Sequence, residues 1–309
     1  MQNLYQKTIF KTVEFEGIGL HSGLNAKVKL LPAEEKTGII FKRTDLKDNN
    51  IIKADYKNVT SAKLCTTLTN SSNVSVSTIE HLMAAFYMTG VDNILVEIDQ
   101  IEMPIMDGSS KDFVNLIKKS GIKTLEAKRK FLKIMKKVEL KDNKKSISIE
   151  PSTEEGLSVD FKLNYNNTLI GNQKNKISFN NQNLEEIYTS RTFCLYEDIE
   201  KIKNVGLAKG GSLDNAIVVK NEKILNKSGL RNKKEFVNHK ILDLVGDFLL
   251  SGYRIIGNVK CVQGGHNLSN IILQEIFKDP SNYEELDVSN IEVFNKNIKI
   301  TANKVAVNA

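Results

Sequence analysis

The chain contains only four histidines, and each lies in a short local pattern suited to a functional site. His21 lies among three glycines, His81 follows a glutamate, His239 begins a His-x-x-x-Asp spacing, and His266 follows two glycines. Imidazole is a common metal ligand and the side chain that most readily transfers protons near neutral pH. These four histidines are therefore the first candidates for chemistry.

The segment after His239 predicts a buried helix with one polar stripe. His239 and Asp243 are four residues apart, so on a helix they lie one above the other, and Asp247 continues that stripe. The other positions are mostly apolar, and a buried carboxylate is unfavourable unless it is paired or bound to a metal. The spacing suits two of three protein ligands of a tetrahedral Zn²⁺ with a water molecule in the fourth position. A simple His–Asp hydrogen bond explains the same spacing, and the residues alone leave both interpretations open.

Glu80 and His81 offer a second possible contribution to a metal site. Neighbouring residues on a helix point about 100° apart, so the two cannot easily share one metal but can flank it. His81 would then be the third ligand, and Glu80 would take a proton from the attacking water. The structural alternative is a capping box, in which Ser77 and Glu80 bond the start of the helix.

The remaining candidates carry weaker signals. The two glycines before His266 let the backbone approach a ligand, although a hydrogen-bonded turn histidine fits equally well. His21 suits a structural role in a glycine-rich turn or a supporting role at the edge of a site. The loop 206–212 lacks the spacing of a phosphate-binding or dinucleotide-binding loop. The preceding Ser-Arg-Thr-Phe segment (190–193) contains a hydroxyl that could donate to an oxyanion.

The elements that must position these residues follow from the apolar pattern. Helices are predicted over 78–88 and 235–250, and Gly90 and Gly252 end them. Alternating or short apolar runs predict strands in 8–31, 93–98, 146–150, 157–163, 176–179 and 254–262. Strands in runs with few helices favour an α+β fold over a doubly wound parallel sheet. The repeated order of histidine, helix, glycine and strand indicates two similar α+β units.

Length and composition bound the architecture. The chain has 309 residues, of which 40% are hydrophobic and 26% charged, which excludes a disordered chain. A basic run over 124–137 has no glycine or proline and marks the expected domain boundary. We therefore predict domains at 1–126 and 127–279, followed by a polar peripheral tail at 280–309.

Charge and cysteine content bear on partners and compartment. The formal net charge of +7 suits an anionic ligand without identifying it. Three cysteines form no disulfide framework, which favours a reducing compartment. We find no signal peptide and no apolar run long enough to span a membrane, so we expect a cytoplasmic protein.

Seven different short motifs follow one another along about 6–276. They are Gly-Ile-Gly-Leu-His-Ser-Gly (17–23), Val-Ser-Thr-Ile-Glu-His-Leu (76–82), Glu-Met-Pro-Ile-Met-Asp-Gly-Ser (102–109), Ser-Arg-Thr-Phe (190–193), Gly-Leu-Ala-Lys-Gly-Gly-Ser-Leu-Asp-Asn-Ala (206–216), the segment from Leu-Arg to Val-Gly-Asp (230–247), and Gly-Gly-His (264–266). In this order they resemble the zinc-dependent UDP-3-O-acyl-N-acetylglucosamine deacetylases of lipid A biosynthesis. The resemblance implies two similar two-layer α+β domains, packed helix layer to helix layer with the active site between them.

The resemblance also implies roles for individual residues. It implies a Zn²⁺ ion held by His81, His239 and Asp243. It further implies that Glu80 is the general base, His266 the general acid and Asp247 the acidic partner that orients the acid. It also implies that the Thr192 hydroxyl lies beside the reacting carbonyl and that Lys240 meets the substrate diphosphate. An insert at 192–219 would form an apolar passage for the acyl chain. It supplies the further substrate-binding candidates Phe193, Gly210 and Ser212, with Gly210 giving room beside the apolar side chains. One departure is visible after Gly-Gly-His, where Ser269 or Asn270 stands for the usual asparagine and leaves the local support of His266 open.

The implied reaction is hydrolysis of the N-acetyl group of UDP-3-O-acyl-N-acetylglucosamine, with release of acetate. We expect a monomer with at most peripheral contact with the inner membrane and no nucleic-acid partner. One alternative is a zinc amidohydrolase of another acylated amino sugar. Another is a basic RNA-binding α+β protein, although its lysines and arginines are spread along the chain and only 7% of residues are aromatic. A zinc peptidase is disfavoured because the His-Glu-x-x-His signature is absent.

Overall fold

The computed structural model describes residues 4–180 and 183–286, and these form the predicted α+β fold. The described helices are α1 (Glu80–Thr89), α2 (Lys111–Ser120), α3 (Glu185–Tyr188), α4 (Tyr196–Asn204), α5 (Glu235–Leu249) and α6 (His266–Lys278). The described strands are β1 (Tyr5–Ile9), β2 (Val13–Ile18), β3 (Asn25–Pro32), β4 (Ile39–Arg43), β5 (Ile51–Lys53), β6 (Val59–Ser61), β7 (Thr67–Thr69), β8 (Ser75–Val76), β9 (Ile94–Ile98), β10 (Ile122–Lys128), β11 (Phe131–Ile134), β12 (Val138–Asp142), β13 (Lys145–Glu150), β14 (Leu157–Asn164), β15 (Asn172–Ser178), β16 (Phe193–Leu195), β17 (Ile217–Lys220), β18 (Lys223–Ile224), β19 (Arg254–Val262) and β20 (Tyr283–Leu286). Within the described part of the chain, no helix has the length and apolar character needed to cross a bilayer.

The first half is a five-stranded sheet covered on one face by helices α1 and α2. Its strand order is β2-β3-β9-β4-β5, with β4 and β9 parallel. Along β3, Ala26, Val28 and Leu30 are buried while the residues between them face outward. This alternation is the pattern of an antiparallel strand with one face on the core. The buried face packs against apolar residues of α1 and α2, including Leu82, Phe86 and Phe113.

The second half is a larger sheet covered by α5 and α6. Strand β19 lies at its centre and pairs with β13, β11 and β14. The chain enters this half between Lys128 and Phe131, because β10 still pairs with β1 while β11 pairs with β19. Tyr283–Leu286 forms an edge strand on β11, so the sheet extends beyond the predicted start of the tail at Pro280. Residues 287–309 of that predicted tail lie outside the described residues.

The two halves meet where α1 crosses α5. Helix α5 is buried on nearly every side, as its sequence predicted; Lys240 is the one partly exposed residue in it. The two helices approach closely at Gly246, where an added Cβ would overlap the Glu80 carbonyl oxygen and lie 3.0 Å from the Ala84 nitrogen. Gly246 therefore lets α1, which carries Glu80 and His81, lie directly against α5.

Replacing Gly246 with alanine should lower the free energy of unfolding by about 1–3 kcal/mol, the usual cost of overpacking a core. The new methyl group must push α1 away, because the atom it meets is backbone. Denaturant titration of the variant measures the loss. Gly265→Ala is the matched control, since its Cβ would meet nothing within 4 Å. Equal stability of the two variants would contradict the proposed close contact.

The predicted capping box at the start of α1 is wrong. Helix α1 begins without a side-chain cap, and its N-cap residue is Ile79. The Ser77 hydroxyl donates instead to the carbonyl oxygen of Ile101, and the Glu80 carboxylate accepts from the Thr66 backbone N–H. The Glu80 carboxylate therefore does not cap its own helix; one oxygen bonds Thr66, and the other lies 3.7 Å from His266 Nε2 in the second half.

Candidate active site

Two histidines and one aspartate converge at the crossing of α1 and α5. His81 lies in the first turn of α1, and His239 and Asp243 share one face of α5. The Asp243 Oδ1 atom lies 3.6 Å from His81 Nε2 and 3.3 Å from His239 Nε2. All three residues are buried, and their facing atoms lie within 4.8 Å of one another. The structure thus brings together the three residues predicted to bind metal.

The protonation of His239 leaves two acceptors facing each other. His239 Nδ1 lies 3.1 Å from the carbonyl oxygen of Ser190, which can only accept, so Nδ1 carries the proton. Burial lowers the pKa of His239 to about 3 against the attraction of Asp243, so Nε2 presents a lone pair. Asp243 Oδ1, opposite it, is buried and has no hydrogen-bond partner among the described residues. A lone pair and a carboxylate oxygen at 3.3 Å repel unless a cation lies between them.

The spacing of these atoms fits a tetrahedral metal ion. Burial would raise the pKa of Asp243, but its neighbours, the Lys240 ammonium among them, hold that pKa well below its usual range, so the carboxylate is ionised. Ligand atoms about 2.0–2.1 Å from a tetrahedral Zn²⁺ lie roughly 3.3 Å apart. The observed separations of 3.3 and 3.6 Å are close to that value. The donor set of two imidazoles and one carboxylate is one that zinc accepts.

A second group of buried side chains adjoins these three. His266, the first residue of α6, places Nδ1 2.9 Å from Asp247 Oδ2 and Nε2 3.7 Å from Glu80 Oε1. Burial would lower the pKa of His266, but Asp247, Glu80 and Asp243 outweigh it and raise that pKa to about 10. Burial raises the pKa of Glu80, although His266 and His81 oppose the shift. A protonated imidazole and the carboxyl group of Glu80 therefore face each other beside the three-residue cluster.

Phe193 and Lys240 border the cluster on the side of the second half. The Phe193 ring lies 6.4 Å from the His239 ring, and the Lys240 ammonium lies 5.7 Å from the Phe193 ring. Lys240 Nζ donates to Asp243 Oδ2 at 2.8 Å, and this charge raises the pKa of Lys240 although burial lowers it. The ammonium is therefore held beside the site and stays charged.

Thr192 is positioned by backbone bonds that join the two halves. Its N–H donates to the carbonyl oxygen of Gly108 at 2.7 Å, and its own carbonyl accepts from Ile217. The preceding Arg191 is buried and pairs with Glu235 at 2.8 Å, which fixes the segment that also supplies the Ser190 carbonyl to His239. The Thr192 hydroxyl is thus carried on the same rigid segment that orients a metal-ligand candidate.

Comparison with known proteins identifies the family. A family model described as LpxC: UDP-3-O-acyl N-acetylglycosamine deacetylase matches residues 6–278. The chain belongs to this family. The UDP-3-O-acyl-N-acetylglucosamine deacetylase of Nautilia profundicola is 45% identical over 272 residues, which are 88% of this chain and 91% of that protein. Proteins of the same name from Actinobacillus succinogenes and Nitratiruptor sp. are each 40% identical, over 90% and 92% of this chain and 92% and 94% of theirs. The resemblance drawn from the motifs is confirmed.

Two substrate-binding candidates from the LpxC resemblance have their described contacts with residues outside the cluster. Gly210 is buried against the first half, where its N–H donates to the carbonyl oxygen of Leu20. Ser212 is exposed, and its hydroxyl accepts from the Asp214 N–H. A Cβ on Gly210 would overlap the Gly19 carbonyl oxygen, so this glycine allows a close backbone contact and leaves no open space beside it. The expectation that Gly210 gives room to a ligand is therefore wrong.

His21 and the segment after His266 have supporting contacts. Glu102 accepts from the His21 N–H at 2.8 Å, and both His21 ring nitrogens are buried without a hydrogen-bond partner in the described part of the chain. The Ser269 hydroxyl lies 3.3 Å from the Gly265 carbonyl oxygen, while Asn270 donates to the carbonyl oxygen of Tyr56. In the described contacts the His266 ring is hydrogen-bonded to the Asp247 carboxylate, so the departure from the LpxC pattern at Ser269 leaves that support intact.

Sequence reasoning missed Thr66. This residue lies in the loop before β7 and is 2% exposed. Its hydroxyl donates to Asp247 Oδ1 at 2.6 Å, and its N–H donates to Glu80 Oε2 at 3.1 Å. Thr66 lies in a stretch rich in serine and threonine, where no spacing marks one hydroxyl above the others.

Proposed function

We propose that this chain is a zinc-dependent deacetylase that removes the N-acetyl group of UDP-3-O-acyl-N-acetylglucosamine in lipid A biosynthesis. The observation that carries the proposal is the buried lone pair of His239 facing the unpartnered Asp243 oxygen, next to the Glu80–His266 pair. The names of the relatives support the substrate. The direct test is acetate release from the acylated sugar nucleotide by the purified protein, before and after chelation and zinc return.

His81, His239 and Asp243 would hold the ion. Zn²⁺ bound there would supply Lewis acidity, polarising the acetamide carbonyl and lowering the pKa of water to roughly 7. The protein contributes a fixed donor set, since His239 is oriented by the Ser190 carbonyl and Asp243 by Lys240.

Glu80 and His266 would move the protons. Glu80 Oε1 faces the site, and the carboxylate would take the proton from the water that attacks the carbonyl. His266, held protonated by Asp247, would donate to the nitrogen of the leaving amine. The Thr192 hydroxyl would donate to the carbonyl oxygen as negative charge develops on it. The products are acetate and the free amine of the sugar nucleotide.

Lys240 and the insert would bind the rest of the substrate. The Lys240 ammonium stays charged beside the site and would meet the diphosphate. Helix α4, in the insert, has no fully buried residue, and its apolar side chains Ile199 and Ile202 are partly exposed. Such a face is available to an acyl chain, which supports the proposed apolar passage near 192–219.

The substrate lacking the 3-O-acyl group should react far more slowly, although its scissile amide is unchanged. Each buried methylene of the chain contributes up to ~0.8 kcal/mol, less the cost of ordering it. Some of the loss should fall on kcat, because remote binding energy positions the reacting carbonyl. The measurement is kcat/KM for UDP-N-acetylglucosamine against its acylated form. Equal values would leave a plain sugar-nucleotide deacetylase.

Variants in α4 tie this preference to the insert. Ile202→Asn should lower kcat/KM for the acylated substrate and leave the unacylated one unchanged, because it removes an apolar contact from the proposed passage. Lys203→Ala, on an exposed position of the same helix, is the matched control. An amidohydrolase of another acylated amino sugar would show the same dependence of kcat/KM on the acyl group with a different nucleotide or sugar. The substrates assayed therefore include acylated amino sugars with those changes.

We also propose that the enzyme acts in the cytoplasm as a monomer, without nucleic acid and with at most peripheral contact with the inner membrane. The three cysteines, Cys65, Cys194 and Cys261, are free thiols, which suits a reducing compartment.

A further inference from the structure

Thr66 connects the two carboxylates that flank His266. It lies on the loop between β6 and β7 in the first half, whereas Asp247 lies on α5 in the second half. The Thr66 hydroxyl donates to Asp247 Oδ1 at 2.6 Å, and the Thr66 N–H donates to Glu80 Oε2 at 3.1 Å. All three residues are buried, so water does not compete for these bonds.

The hydroxyl bond divides the two oxygens of Asp247 between two partners. A threonine hydroxyl has one proton, and here Asp247 Oδ1 receives it. The other oxygen, Oδ2, accepts from His266 Nδ1 at 2.9 Å. With both oxygens engaged, the carboxylate plane cannot rotate freely, and the imidazole ring of His266 is held with Nε2 toward the site.

The backbone bond divides the oxygens of Glu80 in the same way. Its Oε2 atom is engaged by the Thr66 N–H, which leaves Oε1 facing His266 Nε2 at 3.7 Å. This second bond does not depend on the Thr66 side chain. A side-chain substitution therefore tests the Asp247 bond while the Glu80 bond stays in place.

We infer that Thr66 is a positioning residue for amide hydrolysis, acting through Asp247 to aim His266 at the leaving nitrogen. The inference rests on the proposed function for its kinetic test. Asp247 orients His266, and Thr66 orients Asp247. The orientation of the His266 ring therefore depends on a hydroxyl from the opposite half of the molecule.

The test compares Thr66→Val with Thr66→Ser. Valine has nearly the same shape but no hydroxyl, and it leaves Asp247 Oδ1 without a partner. We expect kcat to fall about 10- to 100-fold, with KM and zinc content unchanged. This is the usual loss when a residue that hydrogen-bonds to a functional side chain is removed. Serine keeps the hydroxyl and should restore most of kcat. Thr60→Val is the matched control, since it removes an exposed threonine hydroxyl that bonds only Thr69 in the described contacts.

A double-mutant cycle and a spectroscopic measurement separate positioning from mere packing. Thr66→Val should cost little more in an Asp247→Asn background if it acts through that carboxylate. In protein labelled with ¹⁵N-histidine, the Nδ1–H signal of His266 should shift in Thr66→Val and stay in place in Thr60→Val.

Three kinetic results would overturn the inference: an unchanged kcat in Thr66→Val, a loss that appears in KM instead, or a failure of serine to restore activity. An unmoved His266 signal would overturn it independently of any assay. If the wild-type protein does not deacetylate the acylated substrate, the proposed function fails, while the histidine spectrum still decides whether Thr66 orients His266.

Discussion

His239→Ala should lose tight binding of one zinc ion per chain and reduce deacetylase turnover on the order of 10³-fold, because a metal supplies several kcal/mol of transition-state stabilisation. The substitution removes a candidate ligand whose tautomer is fixed by the Ser190 carbonyl. In the described contacts, the other histidine beside Asp243 Oδ1 is His81, which already belongs to the proposed ligand set and cannot replace His239. Metal analysis after dialysis against a weak chelator measures the bound zinc. Retention of one tightly bound zinc by the variant would remove His239 from the ligand set.

His266→Ala provides the control for this experiment. It deletes a second buried imidazole, whose Nε2 lies 4.0 Å from the other oxygen of Asp243, but it is not among the three converging groups. We expect it to keep zinc and lose turnover. The pair of variants therefore distinguishes loss of the metal from loss of a proton donor, and denaturation curves show whether either variant is simply less folded.

Spacing within one helix was the most informative feature of the sequence. The i, i+4 stripe of His239, Asp243 and Asp247 depends only on helix geometry, and the apolar residues around it predicted the burial of α5. Local signals therefore sufficed for α5 and for the strand β19 that follows it. They also gave Gly90 as the end of α1, where it is the C-cap, whereas α5 ends before Gly252, at Leu249 with Leu250 as its C-cap.

Contacts between distant segments were not predictable in the same way. The residues of a capping box are present in the sequence, but the box does not form, because the Thr66 N–H bonds the Glu80 carboxylate instead. Gly210 was expected to provide space, but a backbone from another part of the chain fills it. Thr66 itself bonds Asp247, which lies 181 positions further along the chain, and the sequence around either residue does not indicate this contact.

Glu80→Gln should reduce turnover by about 10²–10⁴-fold while zinc binding is kept, because an amide cannot accept the proton of the attacking water. Glutamine retains the shape of the side chain and can still accept from the Thr66 N–H through its carbonyl oxygen. Glu139→Gln is the matched control, as it makes the same chemical change at an exposed strand position. Near wild-type turnover in Glu80→Gln, with zinc content verified, would exclude Glu80 as the base.

The pH dependence of kcat/KM tests the partner acid. Activity requires Glu80 ionised and His266 protonated, so it should rise as pH passes the pKa of Glu80 and fall as pH passes that of His266. Burial lowers the His266 pKa, and Asp247 is the largest of the charges that raise it to about 10. Asp247→Asn removes that charge, so the free imidazolium is less stable and the alkaline limb should move to lower pH. The acidic limb should move much less, because Glu80 keeps its amide donor from Thr66. Profiles of wild type and Asp247→Asn at saturating zinc measure both limbs. An alkaline limb that stays in place, or that moves to higher pH, would show that His266 is not the group lost on that side.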